Sequence, residues 1–192
     1  MKTSPCWVIR LGFCLGLGLA TALPAAAACP PLLQHQMLRL QDEKPVDLCG
    51  YEGRVVLVVN TASQCGFTPQ YKSLETLYSR FSARGLVVLG FPANDFNQEQ
   101  GSNEAIADFC ENQFAVRFPM FVKTTVLNKP GGPAVNPLYA ELARSTGQAP
   151  KWNFHKYLIG RDGRSVQSVP SATDPLSPAF VAEVEKLLAQ PR

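Results

Sequence analysis

The 192-residue chain has no Cys-x-x-Cys pair, only two histidines, and no apolar run of membrane-spanning length free of Pro or Gly breaks. The first absence excludes a dithiol exchange motif. The second argues against a metal centre, because His35 and His155 stand apart from any cysteine at ligand spacing. The third excludes a polytopic membrane protein. Charge bias is lacking too, with 18 Lys+Arg against 15 Asp+Glu and no basic run that forms a patch, so no nucleic-acid partner is expected. Repeats and low-complexity linkers are also missing. What is present is 46% hydrophobic residues, a length suited to one domain, and six cysteines.

Those cysteines sort by whether they survive processing. Residues 1–28 carry Lys2 and Arg10, then Leu11-Gly-Phe-Cys-Leu-Gly-Leu-Gly-Leu-Ala20, then Ala25-Ala26-Ala27-Ala28. A basic start, a short apolar stretch and an Ala-x-Ala ending predict a secretory signal peptide cut before Cys29; the alternative is a short anchor that stays attached. Ala26-Ala27-Ala28 lacks the aliphatic residue expected three positions before a lipidated cysteine. Cleavage removes Cys6 and Cys14 and leaves a single domain over 29–192 with Cys29, Cys49, Cys65 and Cys110. The expected location is periplasmic or secreted, where disulfides persist.

Residues 36–48 alternate in polarity and turn over Asp42-Glu43-Lys44, which predicts a small hairpin. Val55-Val-Leu-Val-Val59 and Leu86-Val-Val-Leu-Gly-Phe91 read as strands buried on both faces. Between them Thr68-Pro69 predicts a helix start, Tyr71, Leu74, Leu77, Tyr78 and Phe81 its inner face, and Gly85 its stop. Ser102 or Asn103 caps a second helix with Ile106, Phe109 and Cys110 inward, and a third follows Asn136-Pro137. Tyr157-Leu158-Ile159 and Ser165-Val166-Gln167 form a hairpin about Arg161-Asp162-Gly163. A last helix from Ser177-Pro178 buries Phe180, Val181, Val184, Leu187 and Leu188. The pattern is α/β with a mixed sheet.

Cys65 falls between a buried strand and a helix start, where backbone N–H groups and the helix dipole favour a reactive thiolate. Gly66 is expected to let backbone approach the sulfur. Around it, Gly53-Arg-Val-Val-Leu-Val-Val-Asn60-Thr61-Ala-Ser63-Gln-Cys65-Gly66-Phe-Thr68 resembles the active-site signature of the glutathione peroxidase family. Gly90-Phe91-Pro92-Ala93-Asn94-Asp95-Phe96 with Gln98-Glu99 resembles its second signature, and Lys151-Trp152-Asn153-Phe154 its third. Order and spacing agree over residues 36–190.

The resemblance implies a thioredoxin-like fold and a peroxidase without a cofactor, acting on hydrogen peroxide and organic or lipid hydroperoxides. It makes Cys65 the attacking residue, with Gln98, Trp152 and Asn153 completing its polar setting. These are neutral donors, able to stabilise a sulfur anion or a developing alkoxide. The chain departs from the family at Ala93 and Asp95, where Cys and Gln are common. It is also one residue short between Phe96 and Gly101, which leaves Gln100 as an alternative to Gln98. Asn60 reads as a loop-holding turn residue. Cys110 matches the resolving cysteine of the thioredoxin-dependent members, whose reductant is a thioredoxin-like protein; glutathione is the other candidate. The short segment 125–150 implies a monomer with an open site.

Cys29 and Cys49 bracket the first hairpin outside every motif, and a structural disulfide between them is the economical pairing for an exported domain. Free thiols or a lipidated Cys29 are the alternatives. An exported redox relay, passing oxidation to a partner protein, and a binding module without turnover compete with the enzyme.

Overall fold

The run Val55-Val-Leu-Val-Val59 has no polar position to turn toward water, so it needs cover on both faces. The computed structural model, which describes Met1 and residues 29–99 and 101–191, shows that cover. The signal peptide expected over 1–28 lies outside the described residues except for Met1, as does Gln100. Strands β1 (Gln36–Leu38) and β2 (Pro45–Asp47) form the expected antiparallel hairpin. Strand β3 (Val55–Thr61) leads through helix α1 (Gln70–Phe81) to strand β4 (Leu86–Pro92). Helices α2 (Asn103–Phe114) and α3 (Pro137–Thr146) follow. Strands β5 (Lys156–Ile159) and β6 (Val166–Val169) and helix α4 (Pro178–Leu188) complete the chain.

The main sheet has the order β4-β3-β5-β6. β3 and β4 are parallel, as a helical crossover requires, and the other pairs are antiparallel. Alternate strand residues point to opposite faces. Leu57, Val59 and Val88 pack with residues of α1, α2 and α4, while Val56, Val58 and Leu89 pack with Leu138, Tyr139 and Leu142 of α3. Three inner-face assignments change: Tyr78, Phe109 and Val181 are half-buried. α1 also begins later than expected. Its first residue is Gln70, and Pro69 occupies the capping position.

The outer side of β4 is not bare. Pro119 accepts from the Gly90 N–H and Phe121 donates to the Gly90 carbonyl, each at 2.9 Å. Leu40 and Val122 carry the ladder on to the first hairpin. Gly90 is required by this approach, because a Cβ there would lie 2.2 Å from Met120 Sδ. A disulfide joins Cys29 to Cys49, with the Cα atoms 5.6 Å apart. It holds the start of the domain against the β5–β6 turn, where a Cβ on Gly163 would meet Pro30 Cγ at 2.5 Å.

Candidate active site

β3 ends at Thr61 and α1 starts at Gln70, so residues 62–69 form the loop that carries Cys65. Thr68 was expected to cap the helix; it braces the loop instead. Its hydroxyl accepts from the Cys65 N–H at 3.0 Å and donates to the Ala62 carbonyl at 2.9 Å. The Phe67 N–H points at Cys65 Sγ at 3.4 Å. Cys65 is thus held one turn ahead of a helix N-terminus, 7% exposed. The expected role of Gly66 fails, since a Cβ there would meet nothing within 4 Å.

The loop after β4 places Gln98 beside this turn, its carbonyl accepting from the Gln64 N–H at 3.1 Å. Asn153, fully buried, donates through Nδ2 to Gln98 Oε1 at 2.8 Å. The two amides therefore engage each other rather than both facing the sulfur, and Gln98 is left with its NH₂ as the outward donor. Asn153 Oδ1 is buried without a hydrogen-bond partner. Trp152 is 41% exposed, which excludes a core role, and its ring lies 5.1 Å from that of Phe96.

Asn60 is not a turn residue. It lies within β3, fully buried, and its Nδ2 donates to the Trp152 carbonyl at 3.1 Å. Its own carbonyl accepts from the Phe154 N–H at 2.6 Å. These bonds hold Phe154 at φ +60°, a conformation costly for a bulky side chain, and so fix the direction of Trp152 and Asn153. The next two residues are buried bases. Burial and the charges of Lys156 and Lys151 push His155 down to about 4. Burial lowers Lys156 to about 7, with its ammonium donating to the Ser171 and Thr173 carbonyls.

Cys110 lies on α2 and is 2% exposed. Both it and Cys65 are free thiols within one core cluster. Burial pushes the Cys110 thiol up to about 11. The Tyr71 hydroxyl lies close to Cys110 and Thr61, buried and without a well-formed hydrogen bond. Two further groups escaped the sequence reading as a pair. Ser63 Oγ donates to Glu99 at 2.9 and 3.0 Å, and the Glu99 carboxyl is raised by its burial. Each lies inside a recognised motif, but a contact across 36 positions leaves no local pattern.

A profile of the glutathione peroxidase family matches residues 33–143. The hydroperoxy fatty acid reductase gpx1 of Synechocystis sp. is 46% identical over 158 residues, covering 77% of this chain and 90% of that protein. The glutathione peroxidase-like peroxiredoxin gpx1 of Schizosaccharomyces pombe is 45% identical over 140 residues, 70% of this chain and 86% of that one. Among solved structures, GPX1 of T. cruzi superposes with a TM-score of 0.63 at 30% identity, over 84% of this chain and 98% of its own. A thioredoxin family protein from Chlorobium tepidum, 14% identical, matches with a TM-score of 0.59 over 86% of this chain and all of its own, which shows the fold alone. The chain therefore belongs to the glutathione peroxidase family: it is a thiol peroxidase on a thioredoxin-like fold.

Proposed function

We propose that this peroxidase is exported and runs a two-cysteine cycle in which Cys65 attacks the hydroperoxide and Cys110 resolves the product. One observation carries the reading. Of the four cysteines in the domain, two are joined outside every motif, and the two left free are Cys65 on the strand–helix loop and Cys110 on α2. The Cys65 thiolate takes the distal oxygen of the hydroperoxide, giving sulfenic acid and an alcohol or water. The Gln98 NH₂ and the Trp152 indole supply donors for the oxygen that develops charge, with Asn153 setting the orientation of Gln98. Cys110 then displaces the sulfenic oxygen to form a disulfide, and an external dithiol reduces it.

The exposed Trp152 beside the half-buried Phe96 suits an apolar chain, which favours organic and lipid hydroperoxides. The name of the Synechocystis relative points the same way. A monomer with an open site fits a bulky substrate. The signal-like residues 1–28 and the Cys29–Cys49 disulfide support an oxidising location. The donor is then an exported thioredoxin-like protein, since cytosolic thioredoxin and glutathione are out of reach.

The test is steady-state consumption of an organic hydroperoxide against a panel of reductants, with Cys65→Ser and Cys110→Ser alongside. Cys65→Ser abolishes turnover and leaves the fold intact, because a hydroxyl is a far weaker nucleophile. Cys110→Ser consumes one equivalent and stops at sulfenic acid or over-oxidises. In a chain starting at Cys29, Trp152 is the sole tryptophan, so its fluorescence changes with peroxide and recovers with dithiol. Near-normal turnover of Cys65→Ser refutes the attacking residue. Normal cycling of Cys110→Ser with a protein dithiol refutes the resolving one. No turnover, with a stable mixed disulfide to one partner, replaces the enzyme by a redox relay.

A further inference from the structure

The two-cysteine cycle leaves one buried acid without a task. Glu99 is 1% exposed and forms no ion pair at salt-bridge distance among the described residues. A carboxylate this deep is ordinarily paired with a cation. Glu99 has the Ser63 hydroxyl on its oxygens at 2.9 and 3.0 Å, and its N–H donates to Asn94 Oδ1 at 2.9 Å. It lines an open cavity of about 160 Å³, room for several water molecules at about 30 Å³ each. One wall is Ser63 and Gln64, the two residues before Cys65. The same cavity is lined by Ala105, Ile106 and Phe109 of α2, the last immediately before Cys110. The acid therefore stands between the segments that carry the two free thiols.

We propose that Glu99 is the proton carrier of the resolving step, taking the proton of the Cys110 thiol and delivering it to the oxygen that leaves Cys65. The inference rests on the two-cysteine reading above. In that step the Cys65 S–O bond breaks and a Cys65–Cys110 S–S bond forms. The Cys110 sulfur is oxidised and the Cys65 sulfur is reduced from sulfenic acid to disulfide. The thiol proton passes to the Glu99 carboxylate and from there to the departing hydroxide, which leaves as water. Glu99 returns to its starting state, so no outside acid, base or redox agent is consumed.

The surroundings suit that task. A Cys110 thiol raised to about 11 does not ionise by itself at neutral pH, so its attack needs a base. Burial moves the Glu99 carboxyl upward, toward the range in which one group both accepts and returns a proton. The charged and titratable groups that act on Glu99 and Cys110 are Lys123, which favours the Glu99 anion, the Glu99 carboxylate itself, whose charge adds to the rise of Cys110, and Tyr71, a neutral phenol that favours the Cys110 thiolate and whose own ionisation is pushed far up by burial.

Glu99→Gln keeps the size and the Ser63 contact but cannot carry the proton. The full domain is mixed with one equivalent of tert-butyl hydroperoxide, and the loss of dimedone-reactive sulfenic acid is followed together with the Cys65–Cys110 disulfide by mass. The expected result is a resolving rate lower by about 100-fold. The pH profile should also change. It is flat across neutral pH with Glu99 present, and without it rises tenfold per unit as the Cys110 thiol ionises in alkali, still above neutrality because burial is the main cause of its rise. A rate and slope equal to the parent's overturn the proposal. If Glu99→Gln does not fold, Ser63→Ala removes the hydroxyl that favours the ionised carboxyl, so the acid limb of the profile moves to higher pH; an unmoved limb overturns it equally. A parent that never forms the Cys65–Cys110 disulfide shows instead that the two-cysteine reading fails, and the proton carrier falls with it.

Discussion

One primary amide decides much at the residue scale, because on the proposed mechanism Gln98 offers the reacting oxygen either a donor or an acceptor depending on its flip. Asn153 settles the matter by donating to Oε1, which turns the NH₂ the other way. Asn153→Ala should therefore act through Gln98. It leaves the half-buried Gln98 Oε1 without its donor, at a cost of about 1 kcal/mol, and frees the amide to rotate. The rate constant for hydroperoxide reduction, kcat/KM, is expected to fall about tenfold or more, while one thiol per chain still reacts at Cys65. An unchanged kcat/KM shows that Gln98 is oriented by other contacts. Both residues were legible as candidates from their motifs. Their bond was not, since 55 positions separate them and neither motif encodes a partner.

The β5 strand combines positioning with a titratable weakness at the element scale. It begins three residues after Asn153, and its pairing with β3 through Val59 and Lys156 locks the Trp152–Asn153 segment to the sheet. His155 pairs with Ser168 Oγ at 2.9 Å and is held near 4, whereas an unfolded chain would titrate near 6.5. Between those values the unfolded state holds the extra proton. Stability from this group is complete above about 6.5 and is lost as pH falls toward 4, a change of as much as about 3 kcal/mol. Urea midpoints measured across that window should drop with acid in the parent, and His155→Gln should flatten the drop. A parent curve without slope there refutes the buried neutral imidazole. Element existence was plain from periodicity, because β3, β4, α1 and α4 each bury one consistent pattern. The entry to α1 was misread for a local reason: Thr68 has cap chemistry, yet its hydroxyl is drawn back to Ala62 and Cys65 by the loop it closes.

At the scale of the whole molecule, the Cys29–Cys49 bond closes a 20-residue loop around the first hairpin. On the chain-entropy account it contributes about 3 kcal/mol. Its reduction should lower Tm by several degrees without exposing Cys65, and peptide mapping of the oxidised protein should find Cys29 linked to Cys49 and free of lipid. An unaltered Tm after verified reduction shows that native packing of Leu32 and Leu33 alone secures the start of the domain. The pairing was readable because both cysteines lie outside the motifs. The covering of β4 was not, for residues 119–121 carry no strand pattern and join the ladder only through isolated bridges. That covering has a consequence for how molecules meet. It moves the outer boundary of the sheet to β2, three residues long and opened by Pro45, which has no N–H to offer a neighbour. The opposite boundary is β6, four residues with Gln167 facing solvent. Each margin is too short to template the backbone of a second chain, so among the described residues the sheet offers crowded copies no long seam along which to zip into fibrils.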